Sequence, residues 1–120
     1  MQRLRQRADF LAAATGLRAP VSGFVLQARK RREDGPVRVG FTVSKKVGNA
    51  VERNRVRRRL RDVVRRSPAD RMRRGHDYVL IGRRAALKVP FARMADDFEW
   101  VLRRMHAGRA TATRDRDERQ

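Results

Sequence analysis

Between Lys45 and Arg66 the sequence places ten basic residues (Lys45, Lys46, Arg53, Arg55, Arg57, Arg58, Arg59, Arg61, Arg65 and Arg66) against two acids, Glu52 and Asp62. Cations at this density do one kind of chemistry well: they neutralise phosphate, and Arg does so with a planar two-pronged fork. At about 100° per residue, Val56, Leu60, Val63 and Val64 fall on one stripe of a helix, Asn54, Arg58, Arg61 and Arg65 fall opposite, and Arg57 and Arg59 flank the stripe. The spacing predicts a helix over 49–66 that docks by its apolar side and presents a cationic outer face. Arg53 projects to the edge of the stripe, towards a groove beside the helix. Ala50 and Val51 fall off the stripe, which predicts an irregular first turn or separate contacts. An ordinary solvated helix mixes signs, often with Glu four residues before Lys or Arg. So few acids among so many guanidiniums point instead to a polyanion, without saying which one.

Residues able to do other chemistry are sparse. His76 and His106 stand far apart in the sequence and are expected at the surface. Asp96, Asp97 and Glu99 are spaced so that neighbours point about 100° apart, and acids in the first half of a helix complement its dipole; they read as structural. Cys is absent, which excludes disulfides and thiolate metal sites. No catalytic residue, no metal site and no small-molecule substrate are expected on the protein.

The elements that must position the basic face can be traced along the chain. Residues 8–15 favour a helix, with Gly16 as a stop. Residues 21–28 read as a strand with Phe24 and Leu26 on one face, and 29–36 as a loop ending in Asp34-Gly35-Pro36. Residues 37–43 alternate, with Val37, Val39, Phe41 and Val43 on one face and Arg38, Gly40 and Thr42 on the other. That second face is small, polar and cationic; it suits either bare solvent or a floor for RNA. Ser67-Pro68 ends the basic helix. The apolar run at 77–82 suits a central strand covered on both sides. Pro90 opens a last helix whose Phe91, Met94, Phe98, Val101, Leu102 and Met105 recur at helical spacing, with Gly108 at its end. The layout is α+β: one domain over residues 1–108, followed by a disordered tail over 109–120 that carries no large apolar residue.

Composition agrees. The 120 residues carry 32 Lys and Arg against 13 Asp and Glu, a formal charge of +19, while 40% are hydrophobic. The apolar share allows one modest core; the charge repels itself until a polyanion meets it. No run of apolar residues is long enough to cross a membrane, and the charged N-terminus is no secretory signal.

The run from Val43 to Arg61, centred on Arg53-Asn54-Arg55 and flanked by Lys45-Lys46 and Gly48-Asn49-Ala50, resembles the signature of the bacterial ribonuclease P protein family. The likeness extends to Asp9-Phe10 after an Arg-rich start, to the Val-Gly-Phe-Thr-Val-Ser strand, and to His76-Asp77-Tyr78-Val79, covering roughly residues 3 to 107. It implies a ribosomal-protein-S5-domain-2-like fold, a small mixed sheet sandwiched with three helices and a left-handed β-α-β crossover carrying the basic helix. It implies a protein subunit that assists a catalytic RNA in removing the 5′ leader from precursor tRNA in the cytoplasm. The RNA performs the hydrolysis, and Mg²⁺ is held mainly by RNA, with no cofactor on the protein alone. Carried over by position, Lys45, Lys46, Asn49, Arg53, Asn54, Arg55, Arg57, Arg58 and Arg61 would bind the RNA subunit. Phe10, Gln27, Arg38, Thr42, Arg53 and Asn54 would line the cleft for the single-stranded leader. On spacing alone Phe10 reads rather as a core anchor of the first helix. Two positions where many members carry aromatics hold Ala14 and Gln27 here, which weakens those contacts or turns them to hydrogen bonding.

Charge and size also suit a ribosomal or RNA-assembly protein, and the Arg-Asn-Arg signature speaks against it. A membrane-surface helix would need large apolar residues on an exposed face, and no helix-turn-helix pattern prepares the basic helix for DNA.

Overall fold

A computed structural model describes residues 1–107. The tail over 109–120 and the expected cap at Gly108 lie outside the described residues. Five strands form one sheet: β1 (Gln2–Arg3), β2 (Leu17–Pro20), β3 (Phe24–Lys30), β4 (Arg38–Thr42) and β5 (His76–Gly82), in the order β1-β4-β5-β3-β2. The helices are α1 (Arg7–Ala13), α2 (Ala50–Arg66) and α3 (Phe91–His106). As its apolar run predicts, β5 is central, parallel to β4 and antiparallel to β3. Because α2 links neighbouring parallel strands, β4 and β5, it must cross one face of the sheet.

Strand alternation divides the two faces. Towards α2 and α3 point Val39, Phe24, Leu26, Tyr78 and Leu80; they meet Val56, Leu60 and Val63 of α2 and Met94, Phe98, Val101 and Leu102 of α3 in the main core. Phe24 and Phe98 meet edge to face at 6.3 Å, an arrangement the ring quadrupoles favour. Gly82 lets α2 come close: a Cβ there would lie 2.6 Å from Val56 Cγ1. Towards α1 point Arg38, Gly40, Thr42, Asp77, Val79 and Ile81, where a smaller cluster of Leu4, Ala13 and Val79, with Phe10 and Ile81 against it, holds α1 down.

Two strands were not legible in the sequence. β1 is two residues long and is fixed by backbone bonds, Gln2 N–H to Val37 O at 2.7 Å and Leu4 N–H to Val39 O at 2.8 Å. β2 ends on Pro20, tolerated because β2 is an edge strand. Nor does the loop predicted from residue 29 begin there: β3 runs on to Lys30, and Arg31 turns inward, 7% exposed.

Candidate nucleic-acid interface

The first turn of α2 is regular, contrary to the expectation from Ala50 and Val51. Asn49 Oδ1 accepts from Glu52 N–H at 2.9 Å and Glu52 Oε1 accepts from Asn49 N–H at 3.0 Å, a reciprocal capping box. Those two bonds make the off-stripe residues unnecessary for anchoring, and Val51 stands 67% exposed. The Asn49 N–H, and after it Arg84, hold the Glu52 carboxyl below its ordinary range. Arg84 also donates to Val47 O, tying the Lys45–Val47 turn to the strand-β5 side of the molecule. Asn49, placed among RNA contacts by sequence, therefore has a structural role as well.

The expected division of α2 holds: Val56, Leu60, Val63 and Val64 are buried, while Asn54, Arg58, Arg61 and Arg65 are exposed; Arg55, which the stripe did not assign, is exposed as well. Lys45 and Lys46 extend the exposed face at its approach. Arg57, half-buried, donates to Asn54 Oδ1 at 3.3 Å. Arg65 pairs with Asp62. Among the described residues no carboxylate pairs with Lys45, Lys46, Arg55, Arg57, Arg58 or Arg61, so the outer face keeps its positive potential. Two arginines are turned inward. Arg53 Nη1 donates to Gly48 O at 2.6 Å, folding back along the helix start, and Arg59 donates to Val89 O. Arg53 is half-buried, as its place at the stripe edge foretells, yet its reach is towards the turn before α2.

On the opposite face of the sheet, α1 and the strands enclose a cleft of about 440 Å³ lined by Arg5, Arg7, Phe10, Ala14, Gln27, Phe41, Thr42, Val79 and Ile81. Of the expected cleft residues it gathers Phe10, Gln27 and Thr42, together with Ala14. It does not gather Arg38, Arg53 or Asn54. Phe10 turns out both anchor and lining: its ring seats over Gly40, where a Cβ would lie 2.6 Å from Phe10 Cζ, and its outer part faces the cleft. The small polar face of β4 is thus neither bare nor wholly free; α1 covers Gly40 and leaves Thr42 as floor. Sequence reasoning missed Arg5 and Arg7, although the Arg-rich start was a usable signal for them.

Arg38 is absent from the cleft because a buried carboxylate holds it. Asp77 is fully buried and accepts from Arg38 Nε and Nη2 at 2.8 and 2.7 Å and from Arg31 Nη1 at 2.7 Å. Burial alone would push the Asp77 carboxyl up; the bonds from Arg38 and Arg31 outweigh it and hold the group below its usual range. Arg38 Nη2 also stands 3.4 Å from Asp9 Oδ1, so the same guanidinium ties β4 to α1 and hence to Phe10. In sequence Asp77 was only part of a strand signature; nothing local marks it as the acid on which three elements converge.

The two histidines, far apart in the sequence and expected at the surface, are brought together and half-buried, ring centroids 5.3 Å apart. Tyr78 Oη accepts from Arg73 N–H at 3.0 Å and shares a hydrogen bond with His106 Nε2 at 2.7 Å. Burial, then Arg73 and His76, bring the His106 pKa down to about 4, so the ring is neutral near pH 7. Asp97 is buried and takes Arg93 at 3.3 Å, in keeping with its structural reading.

The family model described as Ribonuclease P matches residues 1–106. The chain belongs to the ribonuclease P protein family. It is 50% identical over 107 residues to the ribonuclease P protein component of Ruegeria pomeroyi, covering 87% of this chain and 86% of that protein. Against the ribonuclease P protein component of Gluconacetobacter diazotrophicus the identity is 48% over 103 residues, covering 85% and 89%. Among solved structures, the ribonuclease P protein from Thermotoga maritima superposes with a TM-score of 0.71 at 31% identity, covering 87% of this chain and 97% of that one. The Staphylococcus aureus ribonuclease P protein gives 0.68 at 29%, covering 86% and 94%. As a member of this family the chain serves as the protein subunit of ribonuclease P in tRNA 5′ processing. Among the described residues no helix of this ribonuclease P protein is long and apolar enough to cross a membrane.

Proposed function

We propose that the chain binds the ribonuclease P RNA subunit through the outer face of α2 and holds the single-stranded 5′ leader of precursor tRNA in the cleft beneath α1. The observation that carries this reading is the row of uncompensated cations, Arg55, Arg58 and Arg61 with Lys45 and Lys46 at its approach, on a helix whose other side is locked into the core. A rigid cationic row neutralises a phosphate backbone without first having to order itself. In the cleft, Phe10 offers a face for base stacking, worth roughly 1–3 kcal/mol per base. Gln27 and Thr42 offer hydrogen bonds, and Arg5 and Arg7 offer charge for the leader backbone.

Hydrolysis belongs to the RNA in this reading, and Mg²⁺ is held mainly by RNA phosphates. Among the described residues three carboxylates are already engaged: Asp77 is saturated by arginines, Glu52 caps α2 and meets Arg84, and Asp97 takes Arg93. The protein's part is to lower the electrostatic cost of bringing leader and ribozyme together. The working compartment is the cytoplasm.

Reconstitution with the RNA subunit tests this. At limiting Mg²⁺ the protein should accelerate leader removal. Arg58→Ala with Arg61→Ala should weaken RNA-subunit binding and flatten its logarithmic salt dependence by about 1.5, from roughly 0.7–0.9 per lost phosphate contact. Processing indifferent to the protein at low Mg²⁺ would overturn the reading.

A further inference from the structure

A second concavity, of about 320 Å³, opens between β1 and the C-terminal half of α2. Its floor is apolar: Val39, Val64 and Phe41. Arg3, Arg61 and Arg65 stand around it. The leader cleft lies on the other face of the sheet and shares only Phe41 with it. The backbone bonds of β1 to β4 place Arg3 here, opposite Val39 in register.

Charge is frustrated at this spot. Arg65 has Asp62, but among the described residues no carboxylate pairs with Arg3 or Arg61. The Arg61 guanidinium sits 6.0 Å from the centroid of the Phe41 ring. Burial first, then the like charges of Arg3 and Arg57, lower its affinity for its proton. Crowding cations over a desolvated floor raises the free energy of the protein alone, and an anion bound between them would relieve it. A bare phosphate would leave the apolar floor unused; a lipid tail would need a longer apolar channel than Val39, Val64 and Phe41 supply. An aromatic ring beside two β-branched side chains suits a base, and Arg3 with Arg61 suits the phosphate attached to it.

We propose that this concavity receives a single unstacked nucleotide of the RNA subunit, its base against Phe41, Val39 and Val64 and its phosphate between Arg3 and Arg61. The proposal rests on the reading that α2 binds that RNA, and adds a base-sized pocket to what would otherwise be backbone contacts alone. It also brings the N-terminal strand into RNA binding, because β1 forms one wall of the pocket.

Two measurements on the full chain test it. In the first, methyl and Arg Nε resonances are followed while adenosine monophosphate, inorganic phosphate or vesicles of anionic lipid are added. The nucleotide should move the Val39 and Val64 methyls together with Arg3 and Arg61 Nε, and phosphate alone should move only the Nε signals. Methyls unmoved by the nucleotide, or moved by vesicles alone, would overturn the proposal. In the second, Arg3→Ala should weaken RNA-subunit binding about tenfold while keeping the preference for precursor over mature tRNA. Its fold should survive, since Arg3 is exposed and β1 is held by backbone bonds. Unaltered affinity in Arg3→Ala, with wild-type protein binding normally, refutes the pocket and spares the proposed function. Wild-type protein that fails to bind the RNA subunit refutes both.

Discussion

Replacing Asp77 by Ala leaves the Arg31 side chain, 5% exposed, in the protein interior with only the exposed Glu33, 3.9 Å from its Nε, as a counter-charge. Arg31 would keep its bonds to His76 O at 3.0 Å and Pro36 O at 2.9 Å, but carbonyl dipoles do not replace a carboxylate. Arg38, with 25% of its side chain exposed, can turn towards solvent and Asp9, so its share of the cost is smaller. Breaking a buried pair by removing one partner costs about 3–5 kcal/mol, a large part of the roughly 5–15 kcal/mol that holds a domain folded. At about 4 °C per kcal/mol for a domain near this size, the midpoint of thermal unfolding should fall by about 12–20 °C. Urea unfolding followed by circular dichroism at pH 7 measures the difference directly. Acid provides the second arm. The folded Asp77 carboxyl lies below its unfolded value of roughly 3.9, so its stabilisation is complete above that pH and is lost as pH falls through the folded value. The gap between wild type and Asp77→Asn should therefore narrow progressively below about pH 4. A loss under about 1 kcal/mol, the scale of an exposed ion pair, or a gap constant through the acid range, would refute the claim that this carboxylate carries the junction of β3, β4, β5 and α1.

Gly40→Ala puts a methyl group into the Phe10 ring; a cost of about 1–3 kcal/mol and a reduced preference for precursors with leaders are expected, and leader affinity equal to wild type would show that Phe10 does not need its seat. Asn49→Ala should cost about 1 kcal/mol through the lost cap, whereas Asn49→Asp keeps the cap and weakens RNA-subunit binding by its charge; comparing unfolding with filter binding separates the two roles. Because the folded His106 ring has its pKa near 4 against about 6.5 unfolded, wild-type stability should decline as pH falls from about 6.5 towards 4. His106→Gln, which keeps a hydrogen-bond partner for Tyr78 without a titrating ring facing Arg73 and His76, should flatten that stretch of the urea-midpoint profile, and an unchanged slope would assign it to other groups.

Much of the molecule could be read before any coordinates. The amphipathic stripe of α2, its end at Ser67, the central place of β5 and the apolar side of α3 all follow from side chains recurring at the period of one element, because burial of one face is decided locally by that period. The outer cations of α2 were legible for the same reason, and the Arg53-Asn54-Arg55 run carried the family likeness. Partnerships between distant residues were not legible. Arg38 shares a strand face with Thr42, yet it belongs to Asp77, because β4 and β5 lie parallel with Arg38 opposite Asp77, and a buried carboxylate takes the nearest guanidinium. His76 and His106, thirty positions apart, meet because α3 returns its last turn to the first residue of β5. The pocket beside Arg61 needs β1, two residues with no periodicity to reveal them, whose place is set by backbone bonds to β4. Sequence alone determined which faces are apolar and which are charged; the tertiary structure alone decided which charges are spent on one another and which remain for RNA, since that depends on distances across the sheet that no local pattern encodes.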